Sequence, residues 1–206
     1  MATETHPRDP YADAPKLPEG ESLDPRTLLG AERAVELEVG PGRGSFILER
    51  LEADPEVRIL GLEIRRKWAT IVDRRLAARG LANRGRVFAE DVHGALARFP
   101  NECLSRIYLH FPDPWWKKRH QKRLVINSQF VREAARVLLP RGELFVQTDV
   151  PERAVAYERI IAECGAFESV RATARVEDPG FGARSPREKR AIEDGLPICR
   201  LWFRRS

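Results

Sequence analysis

Residues 106–123 read RIYLHFPDPWWKKRHQKR and bring an acid, two indoles and a dense run of basic side chains into one short stretch. Asp113 stands between Pro112 and Pro114. The two pyrrolidine rings fix φ and remove N–H donors, so this carboxylate sits in a rigid turn that can continue neither a helix nor a strand ladder. Trp115 and Trp116 follow, then Lys117, Lys118, Arg119, His120, Lys122 and Arg123. A charge run alone reads as a solvated face. One that abuts a proline-locked acid and two indoles suggests a grip on a polyanion, with the acid reserved for something less anionic. Either tryptophan can stack on an unpaired base, although Trp115 is expected to pack beneath the turn. His120 is read as a backbone or phosphate contact and not a catalyst, with no metal cluster around it.

Other acids recur in the same relative position, at or just beyond the ends of strand-like runs. They are Glu38, Glu63, Asp91 and Asp149, and Asp113 makes five. Ligands of open α/β sheets bind beyond the carboxyl ends of the strands. Any one of these acids could be a helix cap, but five in one relation are harder to dismiss. Gly40, Gly42 and Gly44 follow Glu38 with GxGxG spacing, which allows close backbone approach to a ligand. The dinucleotide fingerprint GxGxxG is absent, since Phe46 and Ile47 follow. An acid just before the turn suits a ligand with a cationic part better than a pyrophosphate. S-adenosyl-L-methionine, which carries a sulfonium and no phosphate, is therefore preferred to NAD. Glu63 is placed to accept both ribose hydroxyls, and Asp91 to accept from an adenine amino group.

The elements that must position these residues alternate. Strand-like runs at 34–39, 57–62, 86–90, 106–110 and 143–147 are separated by helical periodicities. Ser45 is expected to cap the first of these helices, Pro140 and Gly142 to close the one carrying Phe130 and Leu138, and Pro151 to open the next. The alternation predicts an α/β fold with a mostly parallel, doubly wound sheet. Two late runs near 168–176 and 198–203 lack a good helix between them and are expected to form an antiparallel edge pair. The Pro- and Gly-containing segment 177–197 between them reads as an exposed, mobile loop. Residues 1–30, rich in Pro, Asp, Glu and Ala, read as a mobile arm or irregular strap, leaving 31–206 as one domain. The chain has 206 residues, 42% of them hydrophobic, and a formal charge of +5, which leans towards a polyanionic partner. No run approaches the length of a membrane span. Cys103, Cys164 and Cys199 are an odd, widely spaced set that suggests neither disulfides nor zinc.

Taken in order, Leu37-Glu38-Val39-Gly40 with Gly42 and Gly44, Gly61-Leu62-Glu63-Ile64-Arg65, Phe111-Pro112-Asp113-Pro114-Trp115 with Lys117-Lys118-Arg119-His120, and Thr148-Asp149 resemble the bacterial tRNA (guanine-N7)-methyltransferases, the TrmB family. The resemblance runs from about residue 35 to the C-terminus. It implies a Rossmann-like class I methyltransferase fold, a cytoplasmic monomer or homodimer, and methyl transfer from S-adenosyl-L-methionine to N7 of the variable-loop guanine (position 46) of tRNA. It further implies that Glu38, Glu63 and Asp91 bind the cofactor, that Asp113 lies at the methyl-transfer site, and that Lys117 and Asp149 contact substrate. The family's late Thr-x-x-Glu motif falls on Ser185-Pro186-Arg187-Glu188 and would close over the target nucleotide. Lys118, Arg119, Lys122 and Arg123 would track the RNA backbone. The chain departs from the pattern at Ser185, where Thr is usual, at His110, where Asn is common, at Trp116, and at Leu124 within the basic run. Competing readings are a related methyltransferase acting on another RNA or a protein, a non-catalytic RNA-binding module, and an oxidoreductase.

Guanine N7 already presents an in-plane lone pair, so no proton must leave before attack. Asp113 is therefore assigned an orienting and charge-stabilising role. Asp113→Asn is expected to lose far more turnover than cofactor affinity, as methylation assays and calorimetry report. Near-normal turnover would remove Asp113 from the chemistry.

Overall fold

The computed structural model describes residues 9–112, 124–171, 173 and 175–206. The element order is α1 (Pro25–Leu28), β1 (Val35–Val39), α2 (Ser45–Ala53), β2 (Ile59–Leu62), α3 (Arg66–Ala78), β3 (Gly85–Phe88), α4 (Val92–Arg98), β4 (Leu104–His110), α5 (Ser128–Val137), β5 (Leu138–Thr148), α6 (Pro151–Glu163), β6 (Phe167–Ser169), α7 (Pro186–Glu193) and β7 (Cys199–Arg205). The strands form one sheet in the order β3-β2-β1-β4-β5-β7-β6. The pairings β1 with β2 and β4, β2 with β3, and β4 with β5 are parallel. β7 runs antiparallel to both β5 and β6. The doubly wound sheet with an antiparallel edge pair is therefore present as expected.

Alternation along the central strands gives the sheet two chemically different faces. One carries Val35, Leu37, Val39, Ile107, Leu109, Leu144, Val146, Leu201 and Phe203, packed with α4, α5 and α6 into the larger core. The other is built in rows across the strands. Glu36, Arg106, Glu143 and Arg204 are register partners on β1, β4, β5 and β7, and Glu38, Tyr108, Phe145 and Trp202 form the next row. His110, Gln147 and Arg200 follow on β4, β5 and β7, nearest the carboxyl ends of the parallel strands.

The first row alternates in sign, and its charges are paired. Arg50 of α2 bonds Glu36 at 2.9 Å, and the Tyr108 hydroxyl donates to Glu36 at 3.0 Å. Arg106 donates to Glu143 at 2.7 Å, and Arg204 to Glu143 at 3.2 Å. Phe46, Ile47 and Phe181 cover this face as a second apolar cluster with Tyr108 and Phe145.

Of the two readings of the N-terminal segment, residues 9–30 take the irregular strap: Ala14, Leu17 and Leu29 are buried, and Leu23 N–H bonds the Arg98 carbonyl at 2.9 Å. Three local expectations are corrected. Ser45 does not cap α2; Gly44 occupies the cap position and Ser45 is already helical, so its side chain cannot supply the cap bond. Pro140 and Gly142 do not close the helix. α5 ends at Val137, and β5 starts at once with an irregular stretch between its pairing to Leu104 and to Arg106. The segment 177–197 is not simply a loop, since it contains α7, and Phe181, Ser185, Glu188 and Ala191 within it are buried. Short apolar anchors spaced along polar sequence hold these segments down, which a window-averaged pattern does not register.

Removing one member of a buried charge row strands its partners. Glu36→Ala is expected to destabilise the fold by about 3–5 kcal/mol in chemical denaturation, because Arg50 and Arg106 lose their shared carboxylate.

Candidate functional site

The carboxyl ends of the parallel strands gather most of the residues singled out in the sequence. After β1 the chain passes through Gly40, Gly42 and Gly44, with φ of 68°, 54° and 74°. These left-handed values favour glycine. At Gly44 a side chain is also excluded by contact, since a Cβ there would lie 2.4 Å from a methyl of Val72 on α3. The turn is tied to β2 by a bond from Gly40 N–H to the Leu62 carbonyl, 2.8 Å. Glu63, buried at the end of β2, fixes its middle: one carboxylate oxygen accepts from Gly42 N–H at 2.9 Å. The other oxygen accepts from the Arg65 backbone N–H and Nε, each at 3.0 Å.

Glu38 lies below this turn, and its carboxyl receives the Ile47 backbone N–H. Its Oε2 is buried with no hydrogen-bond partner among the described residues. Burial and then the charge of Glu63 push its pKa up to about 8, against the opposing Ile47 bond. A buried carboxyl of this kind is matched by a cationic group, which would restore its charge and fill the open acceptor. Beside Glu63, Ile64 is 72% exposed and offers an apolar surface at the rim. Asp91, after β3, is exposed and caps α4 by accepting from Gly94 N–H at 3.1 Å. The cap bond uses one of the lone pairs of its carboxylate and leaves others free. A turn of three glycines, a buried unmatched acid, a second acid and an exposed aliphatic side chain together fit adenosylmethionine, with its cationic tail, ribose and purine.

Further along the sheet, past β4, Asp149 follows β5 and pairs with Arg187 of α7, whose Nε donates to Oδ2 at 2.8 Å. Ser185 caps α7, its Oγ accepting from Glu188 N–H at 3.2 Å, and Pro186 takes the first helical position. Glu188 turns inward, 4% exposed, and binds Arg200 of β7 at 2.8 Å. Lys189 and the Arg184 backbone both bond Glu49 of α2. The structure thus brings Asp149 and Arg187 together at the rim, and directs Glu188 into the polar sheet face. Between α2 and α7 a cavity of about 500 Å³ is lined by Glu49, Phe181, Arg184, Glu188 and Lys189, among others. No residue of the glycine turn lines it.

Asp113, Lys117, Lys118, Arg119, Lys122 and Arg123 lie outside the described residues, as do Trp115, Trp116 and His120. The chain entering that stretch turns sharply. Phe111 has φ of 50°, uncommon for a side chain of its size, and its N–H bonds the Gln147 carbonyl at 2.7 Å.

His110 and Gln147 were not singled out as a pair by sequence. His110 Nδ1 lies 3.3 Å from Gln147 Oε1, and the imidazole packs 4.1 Å from the Phe46 ring between centroids. Burial pushes its pKa down to about 3, so the ring is neutral. Its Nε2 and the Gln147 amide nitrogen have no partner among the described residues. Only the β4–β5 register, which no short motif encodes, reveals this pair. Arg200 was likewise missed, since its role depends on α7 folding back onto β7.

Comparison with known proteins decides the family. The family described as "Putative methyltransferase" matches residues 32–201. A tRNA (guanine-N(7)-)-methyltransferase of Paramagnetospirillum magneticum is 36% identical over 188 residues, covering 90% of this chain and 79% of the relative. One from Myxococcus xanthus is 34% identical over 173 residues, with 84% of each chain covered. The chain belongs to the tRNA (guanine-N7)-methyltransferase family. Among solved structures, the 16S rRNA methyltransferase KamB superposes with a TM-score of 0.62 at 16% identity, covering 91% of this chain and 95% of that one. The aminoglycoside resistance methyltransferase NpmB1 gives 0.57 at 17% identity, over 88% and 91%. These two likenesses establish the Rossmann-like methyltransferase fold. Among the described residues no His, Cys, Asp and Glu cluster is arranged to hold a metal, and no helix is long and apolar enough to cross a membrane.

In this family member, the raised pKa of Glu38 has a measurable linkage. Folding raises the pKa from 4.5 to about 8, so the stability it contributes is fully present below pH 4.5 and is lost as pH rises through 8. A cation bound beside Glu38 reverses the preference and expels the proton. Titration calorimetry with adenosylmethionine near pH 6.5, in two buffers of different ionisation enthalpy, is expected to show release of close to one proton. Glu38→Gln should release almost none and bind about ten- to a hundredfold more weakly. Equal proton counts for the two proteins would exclude Glu38 from the contact.

Proposed function

We propose that this chain transfers the methyl group of S-adenosyl-L-methionine to N7 of a guanine in tRNA, at position 46 of the variable loop, in the cytoplasm. The observation that carries the reading is the unmatched carboxyl of Glu38 beneath a three-glycine turn, in a chain that belongs to this family. When bound, the cofactor supplies an electrophilic methyl on a cationic sulfur.

The residues then divide the work. Gly40, Gly42 and Gly44 let the backbone approach the cofactor, and Glu38 faces its cationic portion. Glu63 takes the ribose hydroxyls. Gly42 N–H holds one of its oxygens, and the Arg65 guanidinium, 62% exposed, is free to swing away from the other. Asp91 receives the adenine amino group and Ile64 covers the ring. Guanine N7 needs no base, so the protein's contribution is alignment and electrostatics. Positive charge appears on the purine as the methyl arrives, and Asp113 and Asp149 favour it there while accepting from N1–H and the exocyclic amine. Lys117 contacts phosphate or O6, and Lys118, Arg119, Lys122 and Arg123 follow the backbone. Ser185, Pro186 and Arg187 present α7 at the rim. Glu188 holds that helix in place through Arg200, and so acts on the nucleotide as a positioning residue.

The direct test incubates unmodified tRNA with the protein and labelled adenosylmethionine and maps the product. The expected outcome is 7-methylguanine at position 46; label on another base or on protein would overturn the reading. Asp149→Ala is expected to lower kcat/KM for tRNA about ten- to a hundredfold, the loss of a charge-assisted hydrogen bond. Cofactor affinity should stay within about twofold of the parent.

A further inference from the structure

Around the glycine turn the charges are unevenly matched. Asp73, the one acid in α3, pairs with Arg86. Glu63 is taken by Arg65, Asp9 by Arg66, and Glu52 by Arg79. Those pairs leave Arg43, Lys67, Arg74 and Arg75 exposed and without a carboxylate partner among the described residues.

The four are also organised. Arg43 and Lys67 lie over the Trp68 ring, 5.4 and 5.6 Å from its centroid. Arg75 Nη1 donates to the Arg43 carbonyl at 2.9 Å, which joins α3 to the turn. Lys67 and Arg74 are seven residues apart, so they share a helical face roughly 10 Å long. Like charges repel when grouped this way, and a face that only needed solvation would gain from interspersed acids. Here the local acids are spent on other arginines.

We propose that the outer face of α3, with Arg43 of the glycine turn, is a docking surface for the phosphate backbone of the RNA substrate. It rests on the reading of tRNA as substrate and deepens it. The glycine turn and the start of α3 both follow carboxyl ends of parallel strands, so this surface flanks the candidate site at the same end of the sheet. β2, which leads into α3, lies on one side of β1; β4, which leads into the basic run ending at Arg123, lies on the other. A folded polyanion lying beside the end of β1 would meet Arg43 and the cations of α3 on this flank. The chemistry is that of phosphate contact, which fixes register without reading bases.

The test compares two double variants of the full chain, each losing two positive charges. Lys67→Ala/Arg74→Ala removes the proposed contacts and touches neither the turn nor Glu63. Arg33→Ala/Arg171→Ala removes two exposed arginines lying elsewhere. Binding of transcribed tRNA is measured across a salt series, with adenosylmethionine affinity as control. The α3 double is expected to bind tRNA roughly tenfold or more weakly, with a log–log salt slope shallower by about 2, one per lost contact. The control double should stay near the parent, and cofactor affinity should be unchanged in both. Parental affinity and slope in the α3 double would overturn the proposal. So would equal losses in both doubles, which would mean that only net charge matters. If the unaltered protein shows no salt-dependent binding of tRNA at all, the substrate reading itself fails, and this surface with it.

Discussion

The pairing of Glu36 and Glu143 with three arginines drawn from α2, β4 and β7 is the constraint on which the functional half of the molecule rests. A central sheet covered on both sides would ordinarily be apolar on both. This one keeps a charged row across four adjacent strands, on the same face that carries Glu38, His110 and Gln147. Such a row is not strongly stabilising relative to hydrophobic residues of the same size. Its effect is on register. A slip of one residue would turn a strand's charge onto the apolar face and leave its partners in the row unpaired. The row therefore fixes the heights at which β1, β4 and β5 end, and those ends carry the candidate site.

Above that row, polarity rises in steps towards the site. The second row is largely aromatic, with Tyr108, Phe145 and Trp202 packed on Phe46 and Phe181. Glu38 belongs to this row, and its burial, with the charge of Glu63 behind it, holds that carboxyl near a pKa of 8. The third row reaches α7 through Arg200 and Glu188, while Asp149 reaches the same helix through Arg187. One short helix is thus fastened once inside the protein and once at its surface. The inner bond is buried between fixed partners, whereas Arg187 is half exposed and can exchange its partner at little cost.

The parts of this arrangement that were legible in the sequence are those encoded over short distances. Glycine spacing marked the turn at residues 40–44, and the acids following strand-like runs marked Glu38, Glu63 and Asp149. The family resemblance, carried by the motif around Asp113, agreed with the relatives found. What was not legible depends on segments distant along the chain. Glu36 and Glu143 look like ordinary polar positions until Arg106 is placed between them. His110 appeared only as a departure from a pattern, because its partner lies 37 residues away. α7 was hidden by its proline and charges, since a helix with one buried edge has too few apolar residues to stand out. The segment 9–30 stayed open between arm and strap for the same reason, being held by isolated apolar side chains in a polar background.

That strap also bears on how the molecule behaves in company. β3 is an edge of the sheet, and an open edge invites pairing with strands of other molecules. Where β3 ends, the Ala89 N–H is taken by the Pro15 carbonyl, and Leu17 and Leu29 join the core that includes Phe88. Pro10, Pro15, Pro18 and Pro25 have no N–H to offer, so the strap can cover this corner without becoming a strand. It works as a stopper, shielding apolar surface while presenting little backbone for a neighbour to pair with. A composition that looks like disorder is, at this corner, one that covers apolar surface beside an edge strand without adding a strand of its own.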